Sequence, residues 1–129
     1  MLGAVALVAA ISLSACGSSD WRNKDRPPGA IEVTARIDPE KVEVSPDKFG
    51  AGVVNFTIAN LSRAPVRFTL RGPKDAATPK IEPETPTTLQ LALRQGRYRA
   101  AAEGNAAIRP ASVTVGPERS SSQNKLLQP

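Results

Sequence analysis

The side chains that most often carry out protein chemistry are scarce in this chain of 129 residues. It has no histidine, and its only cysteine and only methionine are Cys16 and Met1. Catalysis by a cysteine–histidine or serine–histidine pair needs an imidazole base, so the composition excludes it. A serine–lysine pair is formally allowed, but no serine lies in the strand–turn–helix context that exposes such a nucleophile. We therefore expect a protein that is not an enzyme.

Acidic side chains offer little more. Glu82 and Glu84 lie in a proline-rich stretch, where solvated carboxylates are the ordinary outcome. Asp38, Glu40 and Glu43 are close in sequence, but they lack the glycine-bearing loop of a dedicated calcium site. The sequence therefore predicts no catalytic residue, no bound metal and no cofactor.

The single cysteine stands at the end of an apolar N-terminal segment. Residues 1–14 carry no charge, and they have the length of a secretory signal core but are too short to span a bilayer. Leu13, Ser14, Ala15 and Cys16 resemble the lipobox of bacterial lipoproteins. That resemblance implies cleavage before Cys16 and diacylglyceryl attachment to its thiol; the alternative is a core strand that contains a cysteine. Such signals usually begin with lysine or arginine, which this chain lacks there, so we expect a translation start upstream.

Alternation of apolar and polar residues predicts the body of the protein. On both sides of a break at residues 60–65 the alternation is regular, so residues 53–71 predict two strands folded back on each other. Five further segments alternate in the same way: residues 31–37, 42–44, 89–93, 98–102 and 113–115. We expect a loop at residues 49–52 and irregular chain at 75–86. Seven short strands separated by proline and glycine favour an all-β sandwich.

The order of these segments resembles the cupredoxin fold. The parts that carry the resemblance are Asn60 followed by Pro65-Val66, then Gly96-Arg97-Tyr98, and finally Val113-Thr114-Val115. The resemblance covers residues 31–116 and implies a single antiparallel Greek-key β-sandwich. An immunoglobulin-like sandwich is the alternative fold.

Copper-binding cupredoxins hold their metal with two histidines, a cysteine and usually a methionine. Laid on this chain, the resemblance places those ligands near Val66, Ala102, Asn105 and Arg109. None of the four side chains contains sulfur or an imidazole, and the chain has no histidine to supply one. A blue-copper site needs a thiolate and two imidazoles, so the composition excludes type-1 copper.

Arginine supplies the remaining polar chemistry, in a chain whose formal net charge is +5. Through the resemblance, Arg63, Arg67 and Arg109 approach one pole of the sandwich. One interpretation is an anion-binding site for an envelope protein or an anionic envelope polymer, because the arginine fork binds phosphate and carboxylate. The other is a basic surface that keeps the domain soluble beside anionic lipid. Aromatic residues make up only 4% and offer no stacking platform, so we expect no nucleic-acid partner.

The chain is thus predicted to be a monomeric lipoprotein, anchored by palmitate-type acylation to the extracytoplasmic face of a bacterial cell membrane. Its predicted parts are a signal peptide at residues 1–15, a lipidated flexible linker at 16–30, the cupredoxin-like domain at 31–116 and a C-terminal extension at 117–129. We expect a non-enzymatic binding or scaffold module. The alternative is an accessory protein of an envelope metal or redox system that has lost its own metal site.

Overall fold

A computed structural model describes residues 27–120, so the lipobox and Cys16 lie outside the described residues. The described part contains the strands β1 (Ile31–Ile37), β2 (Val42–Ser45), β3 (Lys48–Asn60), β4 (Arg67–Arg71), β5 (Ala76–Ala77), β6 (Pro86–Leu93), β7 (Gly96–Glu103) and β8 (Ala111–Glu118). Within residues 27–120 there is no helix, and hence no helical segment that is long and apolar enough to cross a membrane. The prediction of an all-β fold is confirmed.

Burial follows the sequence alternation closely. In β1, Val33, Ala35 and Ile37 are buried, whereas Thr34 and Arg36 between them are exposed. Successive side chains of a strand point to opposite faces, so one face of β1 packs inward and the other meets water. β-Branched residues are stiff and pack well on such a pleated surface, which favours strand over helix here.

Two sheets share β3. Residues 52–59 pair antiparallel with β6, and β3 also pairs in parallel with β1, which continues the first sheet to β2. Residues 48–51 pair in parallel with β8 instead, and this second sheet runs on through β7 and β4 to β5. The register breaks between Gly50 and Ala51, where β3 passes from one sheet to the other.

Four features differ from the expectations above, and the first is the short strand β5 in the segment expected to be irregular, which makes eight strands instead of seven. β3 and β4 are not a hairpin, because β3 pairs with β1, β6 and β8 while β4 pairs with β5 and β7. Residues 49–52 are part of β3 and not a loop. The sheets are mixed and not purely antiparallel, because β1 and β8 both run parallel to β3. Alternation reports which side chains are buried, whereas the neighbour of each strand is chosen by the packing of the whole domain.

The core lies between the two sheets and joins them. Phe56 of β3 and Phe68 of β4 are both fully buried, with ring centroids 5.8 Å apart and ring planes at 46°. Tilted aromatic pairs at this distance are favourable beyond the area that they bury. The remaining core is aliphatic and includes Ile58, Leu70 and Val113, all with no exposed surface.

Arg119, near the C-terminal end of the described residues, forms hydrogen bonds that link both ends of this part of the chain to β3. Its guanidinium donates to the carbonyl oxygens of Gly29, Ala51 and Val53, at 3.0, 3.3 and 2.9 Å. A Cβ atom on Gly50 would overlap the aliphatic stem of Arg119, so the absence of a side chain there makes room for the arginine. The segment that leads into β1 is thereby held against the corner of β3.

Replacement of Arg119 by methionine is expected to lower the free energy of unfolding by about 1–2 kcal/mol, since hydrogen bonds to a charged donor are lost at a partly exposed site. Methionine keeps the apolar stem of the side chain and removes only the donors. Urea denaturation measures the change, with Lys80→Met as a control on an exposed side chain. Equal stabilities of the two variants would show that the three hydrogen bonds contribute nothing.

Candidate functional site

Four connections meet at the end of the domain where β1 finishes, and we call this end the distal pole. They are residues 38–41, 61–66, 81–85 and 104–110. Leu61 N–H donates to the Ile37 carbonyl at 2.8 Å, and Arg109 N–H donates to the Glu40 carbonyl at 2.9 Å. Backbone hydrogen bonds between Val66 and Ile81 join the segment 81–85 to the segment 61–66. The chain reaches β1 from the other end, so the distal pole faces away from residues 27–30.

Asn60 organises the interior of the distal pole. Its side chain is fully buried, and its Nδ2 group donates to the carbonyls of Ala64 and Ile81 at 2.9 and 2.8 Å. Its Oδ1 atom accepts hydrogen bonds from the backbone N–H and the hydroxyl of Ser62. Every donor and acceptor of the amide is therefore engaged, so Asn60 is a structural residue and not a free ligand.

Of the four positions at which the cupredoxin resemblance would place copper ligands, Val66 and Ala102 lie in the core, Asn105 stabilises a turn and Arg109 is exposed. Val66 is 1% exposed and Ala102 is 7% exposed, and both belong to the hydrophobic core together with the buried Ile108. Asn105 accepts a hydrogen bond from Ala107 N–H through Oδ1, which stabilises the turn at the end of β7. The interior of the distal pole is therefore filled in part by the apolar side chains of Val66, Ala102 and Ile108.

Two acidic residues near this pole, Asp38 and Glu43, form ion pairs with basic residues. Asp38 and Glu43 both pair with Arg36, at 3.0 and 3.1 Å, and Glu43 also pairs with Lys41 at 2.6 Å. The hydrogen bond from Arg36 to Asp38, followed by the nearby negative charges, raises the pKa of the guanidinium above its ordinary value. Across residues 27–120, no group of three or more cysteine, histidine, aspartate or glutamate side chains is placed to hold a metal ion.

The three arginines singled out from the sequence lie in or beside the connections of the distal pole. Arg63 is in the connection between β3 and β4, Arg67 begins β4 opposite Glu103, and Arg109 is bonded through its backbone to Glu40. All three arginines are exposed, and none forms an ion pair with another residue in the part of the chain that the structure describes. Their role in binding an anion stays a prediction.

A groove of about 400 Å³ crosses the outer face of the second sheet beside the connection 104–110. Arg71, Arg99 and Arg109 line it, whereas Arg63 and Arg67 do not. Sequence reasoning did not select Arg71 or Arg99 as site residues. Their outward position in alternating strands was readable, but the pairing of β4 with β7 that makes them neighbours was not.

Comparison with families and with curated proteins found no match: no family model matches the chain, and no curated protein matches it. Solved structures do match. Auracyanin from the photosynthetic bacterium Roseiflexus castenholzii, in the dithionite-reduced form, superposes with a TM-score of 0.50. It is 17% identical over 71% of this chain and 100% of the auracyanin chain.

A second similar structure is reduced amicyanin with a tryptophan-to-tyrosine substitution. It is 18% identical over 67% of this chain and 82% of the amicyanin chain, with a TM-score of 0.43. The auracyanin superposition, at its low identity, establishes the fold alone. With the eight strands and the shared β3 described above, it shows that residues 27–120 form an all-β, cupredoxin-like domain whose sheets are mixed.

Proposed function

We propose that the chain is a non-enzymatic binding or scaffold module, anchored through lipid on Cys16 to the extracytoplasmic face of a bacterial cell membrane. The observation that carries the proposal is the composition of the distal pole. There, exposed arginines lie around a core that includes Val66 and Ala102, two positions at which the cupredoxin resemblance would place copper ligands. Such a pole can bind an anionic group, and it has no thiolate or imidazole with which to hold type-1 copper.

The direction of the chain supports this arrangement. Residues 27–30 lead into β1 at one end of the domain, and Arg119 holds Gly29 there by a hydrogen bond of 3.0 Å. β1 then runs seven residues to the distal pole, a distance of about 20 Å at the usual rise of a strand. A lipid on Cys16 would therefore be joined to the domain through the end opposite the distal pole.

The chemistry of the partner follows from the charges. Arg63, Arg67 and Arg109 present planar guanidinium groups, which pair with carboxylate or phosphate through two parallel hydrogen bonds. An envelope protein with an acidic surface, or an anionic envelope polymer, has the matching groups. The net charge of +5 also favours association with anionic membranes in general.

The anchor is tested by metabolic labelling of the full-length protein with radioactive palmitate in a bacterial host. We expect label on the wild-type chain and none on Cys16→Ser, which should move from the membrane to the soluble fraction because stable anchoring needs acyl chains. Label retained on Cys16→Ser would overturn the proposed lipidation site.

Partner binding is tested by cross-linking and capture from membranes with the acylated protein. Substitution of Arg63, Arg67 and Arg109 together by glutamine is expected to reduce capture of the main partner at least about tenfold, as loss of charge-assisted hydrogen bonds would. A matched control replaces Lys48, Lys74 and Arg94, which lie outside the distal pole, by glutamine. Equal loss in both variants would leave only a general effect of charge.

The fold favours a second candidate, an accessory of an envelope metal or redox system that has lost its own metal site. The similar auracyanin structure was determined in a chemically reduced state, so that protein undergoes reduction. The same capture experiment separates the two candidates: a metalloprotein as the main captured partner favours the accessory role, and a polymer or a metal-free protein favours the scaffold.

A further inference from the structure

The groove on the second sheet is not lined by Arg63 or Arg67, two of the pole arginines. Its lining instead includes three other arginine positions, two of them on neighbouring strands. Arg71 of β4 and Arg99 of β7 are directly opposite each other in the strand register, and both are exposed. Arg109 reaches the same groove from the connection between β7 and β8. Three arginines from separate parts of the chain thus line one concave surface.

Like charges directly opposite on paired strands are destabilising. A carboxylate at either position would turn the repulsion into attraction, yet both strands carry arginine. Asp75 offsets it only in part, since it lies 3.7 Å from Arg71, and no acidic side chain in residues 27–120 pairs with Arg99. A bound anion would relieve the repulsion that the fold itself leaves in place.

The remaining lining of the groove is small and largely uncharged. Ala101 and Ala106 leave open space between the arginines, and Glu103 is the one acidic residue that lines the groove within the described part of the chain. Three arginines against Glu103 and against Asp75, which pairs with Arg71, leave one positive charge. Asn105 adds an amide whose Oδ1 is already bonded to Ala107 N–H, so its Nδ2 group is the part available to donate.

We propose that this groove binds a phosphate monoester, a dianion whose oxygens accept the forks of Arg71, Arg99 and Arg109. The groove has a surplus of positive side chains, and phosphate is a group that several arginines together bind well. This inference deepens the proposed binding function and rests on it. It assigns the recognition of phosphate to Arg71 and Arg99, which are not part of the pole site, and to Arg109, which both sites share.

The test uses the full-length chain with Cys16→Ser, so that no acyl group contributes to binding. Isothermal titration calorimetry with glycerol 2-phosphate is expected to show saturable binding, which Arg71→Gln with Arg99→Gln weakens at least tenfold. The control, Lys48→Gln with Arg97→Gln, removes the same charge at exposed positions outside both the groove and the distal pole, and its affinity should stay within twofold of the parent. Dimethyl phosphate, a monoanionic diester, should bind at least fivefold more weakly than the monoester.

Equal weakening in the two double variants, no saturable binding, or equal affinity for monoester and diester would each overturn the proposal. Membrane capture with the Arg71→Gln, Arg99→Gln variant distinguishes loss of phosphate binding in the groove from loss of partner binding at the distal pole. In that variant Arg63, Arg67 and Arg109 are intact. Capture that persists while phosphate binding is lost separates the two sites.

Vesicles distinguish the sources of the phosphate. The vesicles consist of phosphatidylcholine with added phosphatidic acid, a lipid phosphate monoester. If the protein sediments with them and this depends on Arg71 and Arg99, the ligand is a lipid headgroup. Binding of glycerol 2-phosphate without such sedimentation would assign it to a soluble phosphate monoester. Both results support the groove as a phosphate site.

Discussion

Replacement of Asn60 by leucine is expected to lower the free energy of unfolding by about 3 kcal/mol, because several buried polar groups would lose their partners together. The carbonyls of Ala64 and Ile81 would lose a donor, and the Ser62 N–H and hydroxyl would lose their acceptor. For a domain of this size, the melting temperature should fall by roughly 15 °C. Thermal and urea unfolding monitored by circular dichroism measure the effect.

The matched control is Asn55→Leu on the same strand. Asn55 is only half-buried, and its side chain makes an exposed hydrogen bond of 2.7 Å to Glu32. Its replacement should cost less than about 0.5 kcal/mol, as is usual for surface positions. If Asn60→Leu were as stable as Asn55→Leu, the buried amide would not be what holds the connection at residues 61–66 in place.

Replacement of Phe56 by alanine is expected to cost about 4 kcal/mol, within the range for a large aromatic removed from a well-packed core. Phe56 has no exposed surface, and its ring lies 5.8 Å from that of Phe68 in the other sheet. The substitution therefore opens a cavity between the two sheets and also removes their aromatic contact. Chemical denaturation is the direct measurement.

Val53→Ala is the control for Phe56→Ala, because Val53 lies on the same strand and is 38% exposed. It should change the free energy of unfolding by less than about 1 kcal/mol. A double-mutant cycle with Phe56→Leu and Phe68→Leu isolates the aromatic pair, for which we expect a coupling of about 0.5–1.5 kcal/mol. A coupling of zero would mean that the rings contribute only through the area that they bury.

The strands themselves were largely predictable. Period-2 alternation placed β1 and the buried residues Phe56, Phe68 and Val113 correctly, because the direction of a side chain from a strand is a local property. The same local rule said nothing of partners. It grouped β3 and β4 as a hairpin, whereas the structure puts them in different sheets and joins them through Phe56 and Phe68.

The expected loop at residues 49–52 shows a second limit. Glycine at positions 50 and 52 is typical of a turn, and Gly52 does have a positive φ of 132°. Yet residues 48–51 pair with β8, and the glycines serve the corner of β3 and the stem of Arg119. Arg119 is about seventy residues further along the chain, so no local pattern could reveal that contact.

For the site, the division is similar. The absence of histidine and the position of Cys16 can be read from the sequence, and they are the basis for expecting neither type-1 copper nor imidazole-dependent catalysis. Which arginines share a surface cannot be read from it. Arg71 and Arg99 became neighbours only when β4 paired with β7 in one particular register.

The amino-acid sequence by itself determined the approximate places of seven of the eight strands and most of their inward-facing residues, since these depend on residue type and on spacing along the chain. The tertiary structure alone decided which strands are adjacent, how β3 is divided between the sheets and where the positive charges collect. Pairing and register bring together residues far apart in sequence, and the free energy that selects them is that of the packed core as a whole.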